Sequence, residues 1–203
     1  MINLSRLEDS TFEECLENDY FEDKKIISNP QKAISLEHVN FDTCYFENIN
    51  FTNFKINLNN IDSCVFVNCD LSNVVFENTI LYKVEFKNCK MQGTFFDEAS
   101  LEEVLFDNVN GRYINFSSCN MKKVEFKECD FSEARFMLCE TQKLIISKVN
   151  FKKTEFINMK MEKTDFSDSD IDDIVTDIKS LKGIKVNVGQ ALSLSIYLGI
   201  EIV

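Results

Sequence analysis

The side chains best suited to metal or redox chemistry are eight cysteines and one histidine, His38. Cys44 and Cys64, Cys69 and Cys89, and Cys119 and Cys139 each stand twenty residues apart. Such spacing suits a ladder of disulfides or metal ligands, or a column of small buried hydrophobic side chains. The absence of any Cys-x-x-Cys pair, in a chain expected in a reducing compartment, favours the column. One histidine cannot build a His-rich metal site, and every Ser/His/Asp or Cys/His set would have to use His38. The run Asp168-Ser169-Asp170-Ile171-Asp172 has carboxylates at calcium-loop spacing. Asp173 stands where such a loop needs glycine, however, and Lys179 where it needs a bidentate glutamate. With five glycines and no phosphate-cradling motif, no cofactor and no enzymatic activity are expected.

Composition narrows the classes further. The chain has 203 residues, 44% hydrophobic and 28% charged, which suits a globular protein of one or two domains. Its 34 acids and 22 bases leave a formal charge of −12. That balance argues against a nucleic-acid binder or an anionic-membrane binder. No apolar run approaches a membrane span, and the first residues lack the pattern of a signal peptide. A cytoplasmic location is expected.

The elements that position these residues follow a period of five. From Leu36 to Ile171 every fifth residue makes a row of 28, of which 26 are large and apolar and 15 are Phe. Gly111 and Thr141 alone break it. A period of five fits neither a helix face nor a flat strand, but it fits a chain that turns a corner every five residues. Two residues before the centres stand mostly small or β-branched residues, including seven of the eight cysteines. The spacing of two puts both on the same side of an extended segment, so both point inward. The other positions are polar. Asn is frequent among them (Asn40, Asn48, Asn50, Asn53, Asn68, Asn73, Asn78, Asn88) and tolerates turn geometry without glycine. Phe46, Phe66, Phe86, Phe106, Phe126 and Phe166 form one inward column.

This pattern resembles the pentapeptide-repeat family. The resemblance implies an all-β fold, a right-handed quadrilateral β-helix of four pentads per coil, with about seven to nine coils and a short C-terminal helix and strand. The expected organisation is an N-terminal coil or cap at 1–21, a projecting loop at 22–35, the β-helix at 36–175 and a strand-helix-strand module at 176–203. The loop is either a binding element or a register-correcting insertion. In the last module, Ala191, Leu192, Leu194, Ile196, Leu198, Ile200 and Ile202 are expected to cap the solenoid, to form a two-fold interface, or both.

Two stretches are similar to the quinolone-resistance (Qnr) and microcin B17-immunity branches. One runs from Cys69-Asp70-Leu71-Ser72 to Cys89-Lys90-Met91-Gln92-Gly93, and the other from Gln190-Ala191 to Leu198-Gly199-Ile200. This resemblance implies a homodimeric DNA mimic that occupies the DNA-binding saddle of DNA gyrase or topoisomerase IV. A second long loop of some members is absent, because Phe106, Gly111 and Phe116 keep the period.

Sorting outward residues by face tests the mimicry idea. The face of Phe46, Phe66, Phe86, Phe106, Phe126, Ile146 and Phe166 carries Glu47, Glu85, Asp107, Glu125, Glu128, Asp165 and Asp168 against Lys87, Lys127 and Lys148. The face through Phe41, Ile61 and Leu81 balances six acids against six bases. The first face is therefore the expected partner surface, with an ordinary solvated surface as the alternative. Lys143, Lys148, Lys152, Lys153, Lys160 and Lys163 are read as solubilising. The functional expectation is a topoisomerase-directed mimic that protects against poisons; the alternative is an interaction scaffold with another protein partner.

Overall fold

The structure, a computed structural model, describes residues 3–17, 20–52 and 54–201. Every fifth side chain from Leu36 to Ile171 is buried, except the half-buried Ile56 and Thr141. Coils stack in register twenty residues apart, with Phe46 opposite Phe66, Phe66 opposite Phe86 and Phe106 opposite Phe126. All pairings are parallel. The Phe46 face is a sheet of eight strands, the Phe41 face of six and the Phe76 face of five. The Phe51 face is held by single bridges such as Asn50–Asp70 and Asp70–Lys90. The result is a four-sided parallel β-solenoid about eight turns deep.

Among the described residues a corner is one residue in the left-handed region, two past the inward centre, as at Asn48 (φ 59°), Glu98 (φ 53°) and Lys123 (φ 55°), except at Leu58 and Asp168. Among the described residues 25 non-glycine positions have positive φ, and only seven of them are Asn. Each costs about 1–2 kcal/mol relative to ordinary backbone. Most corner amides offset this by bonding the next coil: Asn48 N–H to the Val67 carbonyl at 3.0 Å, Glu98 N–H to the Ser117 carbonyl at 2.9 Å. Of the remaining turn asparagines, Asn40 and Asn50 lie outside the left-handed region, and Asn53 lies outside the described residues.

Inside, Phe76, Phe96, Phe116, Phe136 and Phe156 stack with centroids 4.9–5.2 Å apart. The Phe46 column stacks as far as Phe106, then turns edge-on at Phe126 (63°). Gly111 is the cause. Phe131, one coil on, fills the missing side chain's space, and a Cβ at Gly111 would lie 2.6 Å from its ring. That ring then meets Phe126 edge-on at 5.1 Å. Thr141, the other break in the row, donates its hydroxyl to the Lys160 carbonyl.

The smaller inward position takes any compact side chain. Thr94 and Thr154 donate to the carbonyls of Leu71 (2.8 Å) and Phe131 (2.7 Å). Cys119 and Cys129 donate likewise to Phe96 (2.7 Å) and Phe106 (3.4 Å). In one coil the position shifts by a residue: Leu58 is buried and Asn59 exposed. Paired irregularities at His38 and Asn59 keep the ladder of Ser35–Asp42 on Lys55–Asp62 in overall register.

The N-terminal end, expected as a coil or cap, contains helix α1 (Phe12–Glu17). Thr11 Oγ1 accepts the Glu14 N–H at 3.2 Å, and Glu14 Oε2 accepts the Thr11 N–H at 2.9 Å, a reciprocal capping box. The helix delivers Phe12 onto Phe46 and closes that end of the core. The loop expected at 22–35 is shorter. Lys24–Ile26 is a strand between Glu8–Asp9 and Tyr45–Glu47, so only 27–34 leave the stack. That segment is tied down rather than projecting. Asn29 donates to the Asn48 carbonyl (3.1 Å) and accepts from Asn50 N–H (2.7 Å), and Gln31 N–H reaches Glu13 (3.0 Å).

At the other end, Ile184-Lys185-Val186 contributes only the bridge Asp165–Lys185 in place of the expected strand. Helix α2 (Val188–Leu194) continues as a 3-10 turn to Leu198 and stops at Gly199 in the left-handed region (φ 70°). Ile200 and Glu201 form no strand, and Ile202 and Val203 lie outside the described residues. Asp177 anchors the turn before α2. It accepts from the N–H groups of Asn158 (2.7 Å), Lys179 (2.9 Å) and Ser180 (3.1 Å), and from the Ser180 hydroxyl (2.8 Å).

Two outcomes follow. Gly111→Leu, which completes the apolar row, is expected to lower stability in urea unfolding by about 1–3 kcal/mol through overpacking against Phe131. Phe131→Leu in the same chain should restore most of the loss. For Asp177, partial burial opposes the charge, but the donors from Asn158 and Ser180 hold its pKa below the ordinary value. A depressed carboxylate stabilises the fold above its unfolded pKa, and the contribution disappears as pH falls through the folded value. Asp177→Asn should lower the urea midpoint at neutral pH, and its gap to the native chain should narrow as pH falls below the ordinary carboxylate value.

Candidate functional site

The solenoid dictates where its chemistry can sit. The inward columns are filled, so recognition falls to the outward columns and to the two ends. On the Phe46 face one column runs Tyr45, Val65, Glu85, Leu105, Glu125, Ile145, and the other Glu47, Val67, Lys87, Asp107, Lys127, Ser147. The expected acids Glu47, Glu85, Asp107 and Glu125 thus share one sheet, while apolar and basic side chains interrupt them. Glu128 and Asp168 each stand two past an inward centre and Asp165 one before; Glu128 is a left-handed corner.

Three of the seven acids expected on this face are compensated by lysines from within it. Lys87 pairs with Glu85, Lys127 with Asp107 at 3.1 Å and Lys148 with Glu128 at 3.1 Å. Glu47 accepts from the Tyr45 hydroxyl at 3.2 Å. Asp168 accepts from Ser147 and Ser169, each at 3.1 Å. Ser167, through its side chain and then its backbone N–H, holds the Asp165 carboxyl below the usual range. The same device runs along the rod elsewhere: Lys122–Glu102 at 2.6 Å, Lys123–Glu103 at 2.5 Å and Lys160–Glu140 at 2.7 Å. Opposite charges twenty residues apart are the signal for it in the sequence.

The cysteines lie away from all of this. All eight are free and buried. Burial raises the Cys64 thiol and pushes Cys129 up to about 12, which suppresses the reactive thiolate. Among the described residues no group of three or more His, Cys, Asp or Glu is placed to hold a metal ion. His38 is exposed at a left-handed corner. Among the same residues no helix is long and apolar enough to cross a membrane.

The C-terminal end is the second candidate. Polar groups help fasten it to the last coils. The Gln190 amide donates to the carbonyls of Phe166 (2.9 Å) and Ser169 (2.7 Å), Asn187 to that of Ser167 (3.0 Å), and the Tyr197 hydroxyl to that of Ile174. Of the expected apolar residues, Leu194 packs against the core. Ala191, Leu194, Leu198 and Ile200 line an open apolar groove of about 670 Å³ with Leu181 and Ile184. Leu192, Ile196 (71% exposed) and Leu198 (63%) face outward. Ile202 lies outside the described residues. Sequence reasoning did not single out these amides; their spacing, an Asn three before a Gln, is that of the capping box they form.

Comparison with known proteins agrees with this geometry. No curated protein matches the sequence. Among solved structures, a trypsin-treated form of QnrB1, a plasmid-mediated fluoroquinolone resistance protein, shares 22% identity at a TM-score of 0.53. The match covers 90% of this chain and 88% of that one. Full-length QnrB1 gives 22% and 0.50 over 88% and 89%. A family profile described as the pentapeptide repeat region matches residues 34–116 and, in an overlapping alignment, 59–136. The period of five, the four-sided stack and these matches agree: the chain belongs to the pentapeptide repeat family.

Proposed function

We propose that this protein acts by binding rather than catalysis, as a DNA mimic directed at a type II topoisomerase such as DNA gyrase, protecting it against poisons. The observation that carries the reading is a rigid rod of −12 formal charge whose side chains are displayed in columns at the coil spacing. A regular array of carboxylates on a stiff cylinder can compete with duplex phosphates for a basic groove, with the salt dependence of such contacts. The fold shared with QnrB1 supports the same reading. The apolar groove at the C-terminal end suits a second copy of the chain, which would double the rod about a two-fold axis.

The compensation by ion pairs favours a second reading. Where acids are neutralised from within, the surface is mixed, and a scaffold that docks another protein fits it as well. Both readings place the protein in the cytoplasm without a cofactor.

Supercoiling by purified gyrase, titrated with this protein with and without a fluoroquinolone, separates the two. The mimic inhibits supercoiling at high concentration or restores it in the presence of drug, and the effect weakens with salt. No effect on gyrase or topoisomerase IV contradicts the mimic and leaves the scaffold. In sedimentation, the native chain is expected to run as a dimer and Leu198→Glu as a monomer; a native monomer contradicts the end-to-end arrangement.

A further inference from the structure

Phe95 breaks the rule that the repeat's outward positions are polar. It sits on the Phe76 face, 42% exposed, bridged to Val75 in the preceding coil, itself 44% exposed. Around the corner formed by Asn78 and Glu98, Ile80 is 54% exposed. Three exposed acids, Glu77, Asp97 and Glu98, frame this apolar strip.

Among the described residues these acids lack the lysine or arginine that pairs with many acids along the rod, as do the stacked Glu22, Asp42 and Asp62 on another face. Glu77 and Asp97 are one coil apart, between the backbone bonds Phe76 N–H to Phe95 carbonyl (2.7 Å) and Asn78 N–H to Asp97 carbonyl (2.9 Å). Glu102, Glu103 and Asp107 each meet a lysine twenty residues on. Glu77 meets another acid, and Asp97 meets Ser117. Among the described residues no ion pair involves Glu77, Asp97 or Glu98. Arg135, on the same face, is paired with Glu155 at 2.9 Å, and Lys55 with Glu37 at 2.9 Å. Like charges stacked across strands oppose folding. Here that stack lies beside an exposed aromatic ring, and a cation from outside would relieve it.

We infer that Val75, Phe95 and Ile80, framed by Glu77, Asp97 and Glu98, dock a basic protein segment that presents an apolar side chain between lysines or arginines. The ring and its apolar neighbours supply the desolvated anchor, and the acids orient the segment and steer its approach. The same acids repel nucleic acid. This surface lies on a different face from Glu47, Glu85 and Glu125. The inference rests on the reading that the protein works by binding, but it does not need a topoisomerase as the partner.

The test is an NMR titration of the labelled full chain with a synthetic amphipathic leucine–lysine peptide, with oligolysine of equal charge, and with duplex DNA. Shifts from the amphipathic peptide should centre on Val75, Phe95 and Asp97. Phe95→Ser should weaken that peptide about tenfold and leave oligolysine unchanged. Asp97→Lys should weaken both peptides yet raise the thermal midpoint, because it pairs with Glu77. DNA should leave these residues unshifted. Shifts centred on the Phe46 face or on the C-terminal groove would overturn the inference, as would a DNA response here or affinities unchanged in both variants. Peptide affinities unchanged in both variants, beside an intact gyrase effect, would overturn the inference while leaving the mimic standing. Failure on gyrase with the peptide result as expected would sink the mimic alone.

Discussion

Every coil turns on residues held at positive φ, and the parallel ladder of the adjacent coil is what holds them there. Lys123, Glu98 and Tyr113 have no intrinsic preference for that conformation; their amides adopt it because a carbonyl waits one coil away. A single coil therefore has no stability of its own, and the stack behaves as a one-dimensional array of neighbours. The two ends are where that array lacks a neighbour. At one, α1 lowers Phe12 onto Phe46; at the other, Gln190, Asn187 and Tyr197 satisfy carbonyls that no further coil reaches.

The same constraint sorts the chemistry. The interior accepts a large apolar side chain and a small companion, so a thiol there becomes a buried donor to a carbonyl, as at Cys119 and Cys129. Polar constellations are displaced to the outside. There the coil spacing of about 4.8 Å turns sequence positions twenty apart into touching neighbours. A column that alternates in sign, such as Asp107 and Lys127, closes on itself. A column of like sign, such as Glu77 and Asp97, stays open to a partner. Net charge thus says less about recognition than the order of charges down each column.

Much of the fold was legible in the sequence because a period of five has one simple geometric solution. The Phe columns, the inward cysteines and the stop at Gly199 could all be read from spacing. The departures were legible only in part. Helix α1 is signalled by Thr11 and Glu14, but Leu7 and Phe12 keep a five-residue step that mimics a coil. Lys24–Ile26 looks like loop because Pro30 and the failed period lie beside it. The swap of Leu58 for Asn59 depends on a compensating irregularity one coil earlier, which no local pattern shows. For the surface, sorting by face grouped Glu47, Glu85, Asp107 and Glu125, which share one sheet, with the corner residue Glu128, and it ignored neighbours one coil away. The pairs Lys127–Asp107 and Lys148–Glu128 could have been found by the same twenty-residue step that found the cysteines. Phe95 carried its own signal, an aromatic residue directly before an inward Phe.

The most direct test of the stacking account is amide hydrogen exchange across the whole chain. The account predicts slow exchange at the left-handed corners from Asn48 to Leu138 and at Lys153, continuous through the coil of Gly111, with fast exchange confined to 27–34, to Lys143 and Lys148, whose amides meet no carbonyl of the next coil among the described residues, and to the ends. A break in protection at Gly111, or fast exchange at other isolated corners within slow coils, would show that the corners are not held by their neighbours and would contradict it.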